Sequence, residues 1–163
     1  MILRVICYST EVQSMSAYST HKKAHFDYEI LETFEAGIML TGQEVKSIRK
    51  GSAKLEGAFV IIRGSEPYLT NVHIPPFQVK NAPKNYDSER PRKLLLSKKE
   101  IVRIEQETEI GRSTAVPLRI YDKKGKIKVE VAIGRGKKKH DKRESIKERD
   151  TKREIDRTLK SQY

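Results

Sequence analysis

Cysteine is almost missing: Cys7 is the single one among 163 residues. One thiol can form neither an intramolecular disulfide nor a cysteine-based zinc cluster, and the chain fits a reducing compartment. No run of 18 apolar residues occurs, which excludes a spanning helix. Phosphate loops are missing too, since Gly134-Arg135-Gly136 has two glycines but not the Lys-Ser/Thr that closes a P-loop. The histidines His21, His25, His73 and His140 follow neither an H-E-x-x-H nor a zinc-finger spacing. His21 and His25 would share a face on a helix, but the chain from Phe26 onward has the pattern of a strand. They read as ordinary exposed histidines beside lysines. Cys7 has no oriented base to activate it, and Glu32 and Glu35 read by residue type alone as surface carboxylates. No catalytic set emerges, and no metal or cofactor is expected.

What the chain has in excess is positive charge. Lys and Arg total 34 against 22 Asp and Glu, a formal net charge of +12, and the isoelectric point is near 9.8. Such an excess in a small protein favours a polyanionic partner, most often nucleic acid. An acidic membrane surface is the competitor, and it would want a basic amphipathic helix with bulky apolar residues. Hydrophobic residues make up 36%, enough for one modest core but hardly for the whole length. Residues 134–163 carry 12 Lys/Arg and 6 Asp/Glu, whereas 21–133 carry 21 and 15. Three regions follow: an N-terminal lead over 1–20 expected to be disordered, a globular body over 21–133, and a basic tail over 134–163. Arg4 interrupts the apolar start of the lead, against a signal peptide. The lead fits either a true extension or a natural start at Met15.

The body reads mostly as strands. Phe26, Tyr28 and Ile30 alternate with Asp27 and Glu29, a half-buried strand pattern. Ala58 to Ile62 is a short apolar run ending at Gly64-Ser65, and Tyr68, Thr70, Val72 and Ile74 alternate up to Pro75-Pro76. Leu118 to Tyr121, the turn Asp122-Lys123-Lys124-Gly125, and Lys126 to Ile133 predict a hairpin. Its second strand turns Ile127, Val129, Val131 and Ile133 to a core and Lys126, Lys128 and Glu130 to water. Thr41-Gly42-Gln43-Glu44 and Ser97-Lys98-Lys99-Glu100 have capping-box spacing and predict two short helices, the first stopping at Gly51. This order, without βαβ alternation, favours a mainly β antiparallel barrel with short accessory α-helices.

Cations cluster in two places, the loop from Lys80 to Lys93 and the tail, both suited to phosphate neutralisation with counterion release. Lys126 and Lys128 extend a cationic surface on the body, and Tyr86 and His140 are placed to stack on unpaired bases. The loop is expected to be mobile when unbound. The tail is too charged to fold alone and is expected to be disordered when free. Its acid-first pairs Glu148–Lys152 and Asp156–Lys160 would each support a helix by roughly 0.2–0.5 kcal/mol. A latent helix that orders on a partner and a merely solubilising tail fit that composition equally.

Four segments in order carry a resemblance: Phe34-Glu35-Ala36-Gly37, Gly42 to Arg49 (GQEVKSIR), Arg92-Lys93-Leu94-Leu95-Leu96, and Gly136 to Arg143 (GKKKHDKR). They resemble the bacterial SsrA-binding protein family, also called small protein B, over about His21 to Lys160. The resemblance implies an OB-like barrel that binds transfer-messenger RNA (SsrA RNA) and brings it to stalled ribosomes for trans-translation, without enzymatic activity, in the cytoplasm. It implies the ribosome as a partner through the small subunit and 16S rRNA. The elongation factor Tu complex would join through the charged transfer-messenger RNA. Neither a membrane nor a cofactor is implied. Carried over by motif, the RNA-binding residues would be Lys22, Lys23, Glu35, Arg92, Lys93, Leu95 and Lys128. The ribosome and decoding-centre residues would be Lys137, Lys138, His140, Asp141, Lys142 and Arg143, with the tail helical in the vacant message channel. His21 stands where the family usually has Asn, and His25-Phe26 where it has Arg-His. By alternation Leu94 and Leu96 must face opposite to Leu95, so one side of that strand exposes leucine. The rival readings are a ribosomal protein with a basic arm, a general structured-RNA chaperone and an RNA-cleaving enzyme.

Overall fold

The structure is a computed structural model that describes residues 17–83, 85–110, 113–138 and 151. Among the described residues, seven antiparallel strands and three α-helices follow in the order β1 (Ala17–Thr20), α1 (Ala24–Asp27), β2 (Tyr28–Ile38), α2 (Gly42–Arg49), β3 (Phe59–Arg63), β4 (Glu66–Thr70), β5 (Arg92–Leu95), α3 (Lys98–Ile110), β6 (Ser113–Lys123) and β7 (Lys126–Gly136), with a 3-10 turn at Val79–Asn81 between β4 and β5. The strands pair in the order β1-β6-β3-β4-β5-β2-β7, and β7 pairs back onto β6. The sheet therefore closes as a six-stranded barrel with β1 added beside β6, the mainly β, OB-like architecture expected from the sequence.

Local chemistry explains most of the elements. Both two-residue hairpin turns have left-handed backbone at both positions, Gly64 and Ser65 (φ 56° and 64°) and Lys124 and Gly125 (φ 54° and 77°). This is the type I′ geometry whose twist matches paired strands. At α2, Thr41 Oγ1 accepts from the Glu44 amide and the Glu44 carboxylate accepts from the Thr41 amide at 2.7 Å, a complete capping box. Ser97 and Glu100 make the same exchange before α3.

Two bulges divide the buried side chains between two cores. In β2 the register slips between Ile30 and Glu32, and in β6 between Pro117 and Arg119. An extra residue moves everything beyond it to the other face. Phe34, Ala36, Ile120, Val129, Val131 and Ile133 thus line the barrel interior with Ile48, Leu69 and Ile104. Val116 and Leu118 pack outside it with Ala132, Ala24, Tyr28 and Ile30.

Several expectations are corrected. Ala17–Thr20 is a strand of the sheet, so the body begins before residue 21, and β7 continues to Gly136, past residue 133. Phe26 lies in a helical turn, because Asp27 N donates to Lys23 O and the strand starts only at Tyr28. His21 is buried, its amide donating to Leu118 O and its ring Nδ1 3.3 Å from Pro117 O. In β4 it is Pro67 and Leu69 that face inward, not Tyr68. The left-handed Asn71 (φ 58°) then resets the phase, so that Val72 and Ile74 are buried. The segment before β5 is tied down as well. Ile74 N donates to Ser88 O, and Tyr86 donates its hydroxyl to Ile74 O at 2.8 Å, so Tyr86 is held by the body instead of standing free to stack. Residues 1–16, with Cys7 and Met15, lie outside the described residues, as do Lys84 and the tail from 139 apart from Thr151.

Candidate nucleic-acid interface

Residues on the outer side of four neighbouring strands form one row, exposed at Leu95 and closed over at Tyr121, which is only 2% exposed. Leu95 pairs with Gly37, Gly37 with Lys128, and Lys128 with Tyr121. Leu95 is 55% exposed while Leu94 is 1% exposed, as the alternation along β5 requires. Gly37 is what lets Leu95 lie across the row, since a Cβ there would stand 3.2 Å from Leu95 Cβ. Met39, also exposed, continues the outward side of β2 beyond Gly37.

Glu35 lies one outward position before Gly37 and collects the charges of the face. Its Oε2 accepts from Tyr121 Oη at 2.7 Å and from Lys123 Nζ at 2.6 Å, while Lys128 Nζ stands 3.7 Å from Oε1. Partial burial works against its ionisation and is the largest single influence. The bonds from Lys123 and Tyr121 with the charges of Lys123 and Lys128 together outweigh it and hold the carboxyl below its usual range. Tyr121, desolvated and donating to Glu35, is pushed up and stays a neutral donor. One carboxylate oxygen is thus saturated, and the other keeps acceptor capacity toward solvent.

Four cations of this face are paired. Lys93 bonds Glu66, Arg119 bonds Glu130 and stacks 5.3 Å from the Tyr121 ring centroid, and Lys123 and Lys128 share Glu35. Four cations against three carboxylates leave little net charge, so raw attraction for phosphate is not what distinguishes this surface.

Arg92 is corrected: it points into the barrel and is 0% exposed. Its Nε donates to Glu44 Oε1 at 2.8 Å, and its terminal nitrogens donate to Val72 O, Arg90 O and Ser88 O. Burial opposes the charge on Glu44, but bonds from Arg90, the Thr41 amide and Arg92 lower its carboxyl to about 2. The capping-box residue of α2 is therefore also the counter-ion that lets an arginine sit inside the barrel.

Lys22 and Lys23 are exposed on the turn into α1, at the far end of the β2–β7 ladder. Nine residues of strand separate Tyr28 from Gly37, roughly 30 Å at about 3.4 Å per residue. Lys137 joins them, its amide donating to Asp27 O and its ammonium to His25 O at 2.9 Å, with exposed Lys138 beyond. The proposed residues therefore form two groups, Glu35–Lys93–Leu95–Lys128 and Lys22–Lys23–Lys137–Lys138. His140, Asp141, Lys142 and Arg143 lie outside the described residues. Tyr121, Lys123 and Gly37 are the members that the sequence reading missed. The hairpin could have yielded the first, since a two-residue loop at Lys124-Gly125 sets Tyr121 opposite Lys128.

No group of three or more His, Cys, Asp or Glu that could hold a metal is found among the described residues. Nor is any helix among them long and apolar enough to cross a membrane. Fold and face together define a small OB-like barrel protein with outward side chains of the kind such barrels turn toward nucleic acid.

Comparison with known proteins gives the particular family. A model of the SmpB protein family matches residues 18–161. The SsrA-binding protein of Synechococcus sp. (strain JA-3-3Ab) is 51% identical over 140 residues, covering 86% of this chain and 91% of that one. That of Staphylococcus epidermidis is 48% identical over 152 residues, covering 93% and 96%. A solved structure described as "tmRNA-SmpB: a journey to the center of the bacterial ribosome" matches with a TM-score of 0.62 and 42% identity, over 78% of this chain and 92% of that one. The chain belongs to the SmpB family.

Proposed function

We propose that this protein binds transfer-messenger RNA and delivers it to stalled bacterial ribosomes for trans-translation, acting in the cytoplasm by binding alone, with no bond-making step of its own. Family membership supports the partner, and the row Leu95–Gly37–Lys128–Tyr121 beneath an ionised Glu35 is the observation that carries the reading. Leu95 offers an apolar platform for a base or ribose edge. Glu35, an acceptor only, takes a hydrogen bond from a base amino group through Oε1. Lys128 and Lys93 steer nearby phosphate while remaining tied to carboxylates, so recognition follows shape and hydrogen-bond pattern more than charge. Lys22, Lys23, Lys137 and Lys138 form the second contact. The tail, with His140, Asp141, Lys142 and Arg143, enters the vacant message channel toward the decoding region and the 16S rRNA of the small subunit. Elongation factor Tu joins through the charged RNA. Arg92 serves the fold and does not touch RNA.

The test is the RNA that copurifies with the full chain from cells. Transfer-messenger RNA enriched over ribosomal RNA is expected, and its enrichment should fall when Glu35 is replaced by Lys. Copurification with vacant small subunits alone, unchanged in cells lacking transfer-messenger RNA, would instead mark a ribosomal protein.

A further inference from the structure

Away from the sheet face, α2 and the loop after Pro76 carry a surface of different character. Phe77 is 38% exposed and Val79 80% exposed. Lys46 Nζ and Lys50 Nζ each lie 5.9 Å from the centroid of the Phe77 ring. These lysines stand at i and i+4, where like charges repel, yet both lean over one aromatic ring. Among the described residues neither they nor the exposed Lys80 makes an ion pair, and Arg49 bonds only the Gly125 carbonyl, at 3.4 Å. Lys93, Arg119, Lys123 and Lys128 of the sheet face are tied to carboxylates, and these are not.

We infer that Phe77, Lys46 and Lys50 form a second binding site, for an unpaired RNA nucleotide whose base stacks on the Phe77 ring and whose phosphates sit on the two ammonium groups. The chemistry selects this occupant over other anions. An acidic peptide would use the lysines but leave the ring uncovered. A lipid surface needs a wider apolar face than Phe77 and Val79 supply. Stacking is tolerant of sequence because every base has a π-face, and uncommitted lysines release counterions when phosphate arrives. Glu35 and Leu95 take no part, so the site stands or falls independently of the sheet face.

The chain has no tryptophan, so Phe77→Trp in the full protein creates a single tryptophan reporter at the site, excited apart from the tyrosines. It is titrated with a single-stranded RNA decamer, with inorganic polyphosphate of equal charge, and with anionic phospholipid vesicles. Strong quenching by RNA and not by polyphosphate is expected. Adding Lys46→Gln and Lys50→Gln should move the quenching midpoint about tenfold and lower the slope of log affinity against log salt by about 1.4, near 0.7 per lost phosphate contact. Adding Lys99→Gln instead, at an exposed lysine of α3 outside both sites, should leave the midpoint where it was. Equal quenching by polyphosphate, no quenching by RNA, or a response to vesicles alone would each overturn the site.

Discussion

Replacing Glu44 by Gln removes one buried negative charge from the first turn of α2 and keeps the side chain's shape. The Glu44 and Arg92 side chains are both 0% exposed, with Arg92 Nε 2.8 Å and Arg90 NH2 2.6 Å from the carboxylate. Without it the Arg92 guanidinium would keep only neutral partners, the carbonyls of Val72, Arg90 and Ser88. Breaking a buried pair on one side costs about 3–5 kcal/mol, and the three remaining carbonyls place this case at the lower end. The titration gives a second estimate. The carboxyl falls from its ordinary 4.5 to about 2 on folding, which corresponds to roughly 3–4 kcal/mol at about 1.4 kcal/mol per unit. A domain of this size has about 5–15 kcal/mol to lose, so the melting temperature should drop by roughly 10 °C. Because the folded value is the depressed one, the contribution is fully present above pH 4.5 and disappears as pH falls toward 2. Urea denaturation at pH 7, 5 and 3 checks this: the gap between wild type and variant should be largest at pH 7 and shrink below pH 4.5. A gap under 1 kcal/mol at pH 7, or one indifferent to acid, would refute the reasoning. RNA affinity measured well below the melting temperature should not change, because Arg92 is out of reach.

Glu35→Lys raises the net charge from +12 to +14 yet should weaken binding to the tRNA-like part of the RNA about tenfold, the scale of one lost base contact. It sets a third amine beside Lys123 and Lys128 and leaves Tyr121 without its acceptor; equal or tighter binding in a gel-shift assay would make Glu35 an ordinary surface group. Gly37→Ala presses a methyl against Leu95 Cβ at 3.2 Å and Cδ1 at 3.4 Å, so RNA affinity should fall severalfold while stability changes by only about 1 kcal/mol. Truncation after Lys138 removes nine Lys/Arg and six Asp/Glu, lowering the net charge to +9. Binding to the isolated RNA should persist with a shallower salt dependence, while tagging of stalled chains is lost. Ile155→Pro sharpens that test, since proline costs roughly 3 kcal/mol inside a helix and little in an unstructured tail. Normal tagging by this variant would remove the helical-tail mechanism.

Much was already written in local sequence. Lys124-Gly125 between alternating segments specifies the β6–β7 hairpin, and two capping boxes specify where α2 and α3 begin. Alternation in Arg92-Lys93-Leu94-Leu95 even sorts the side chains, since Arg92 shares the parity of buried Leu94 and Lys93 that of exposed Leu95. Taken alone, that rule already turns Arg92 inward; the motif resemblance pointed the other way. What no local rule supplies is the partner. Glu44 lies 48 residues before Arg92, and Glu35 lies 86 and 88 residues before Tyr121 and Lys123. The bulge beside Leu31 has no turn residue to mark it and the one at Leu118 has only Pro117, and they decide which of several like-patterned apolar residues enters which core. Caps, turns and alternation act within a few residues of their own backbone, so the sequence states them directly. Counter-ions, bulges and the row across four strands exist only once the barrel closes, because closure is what sets distant strands in register.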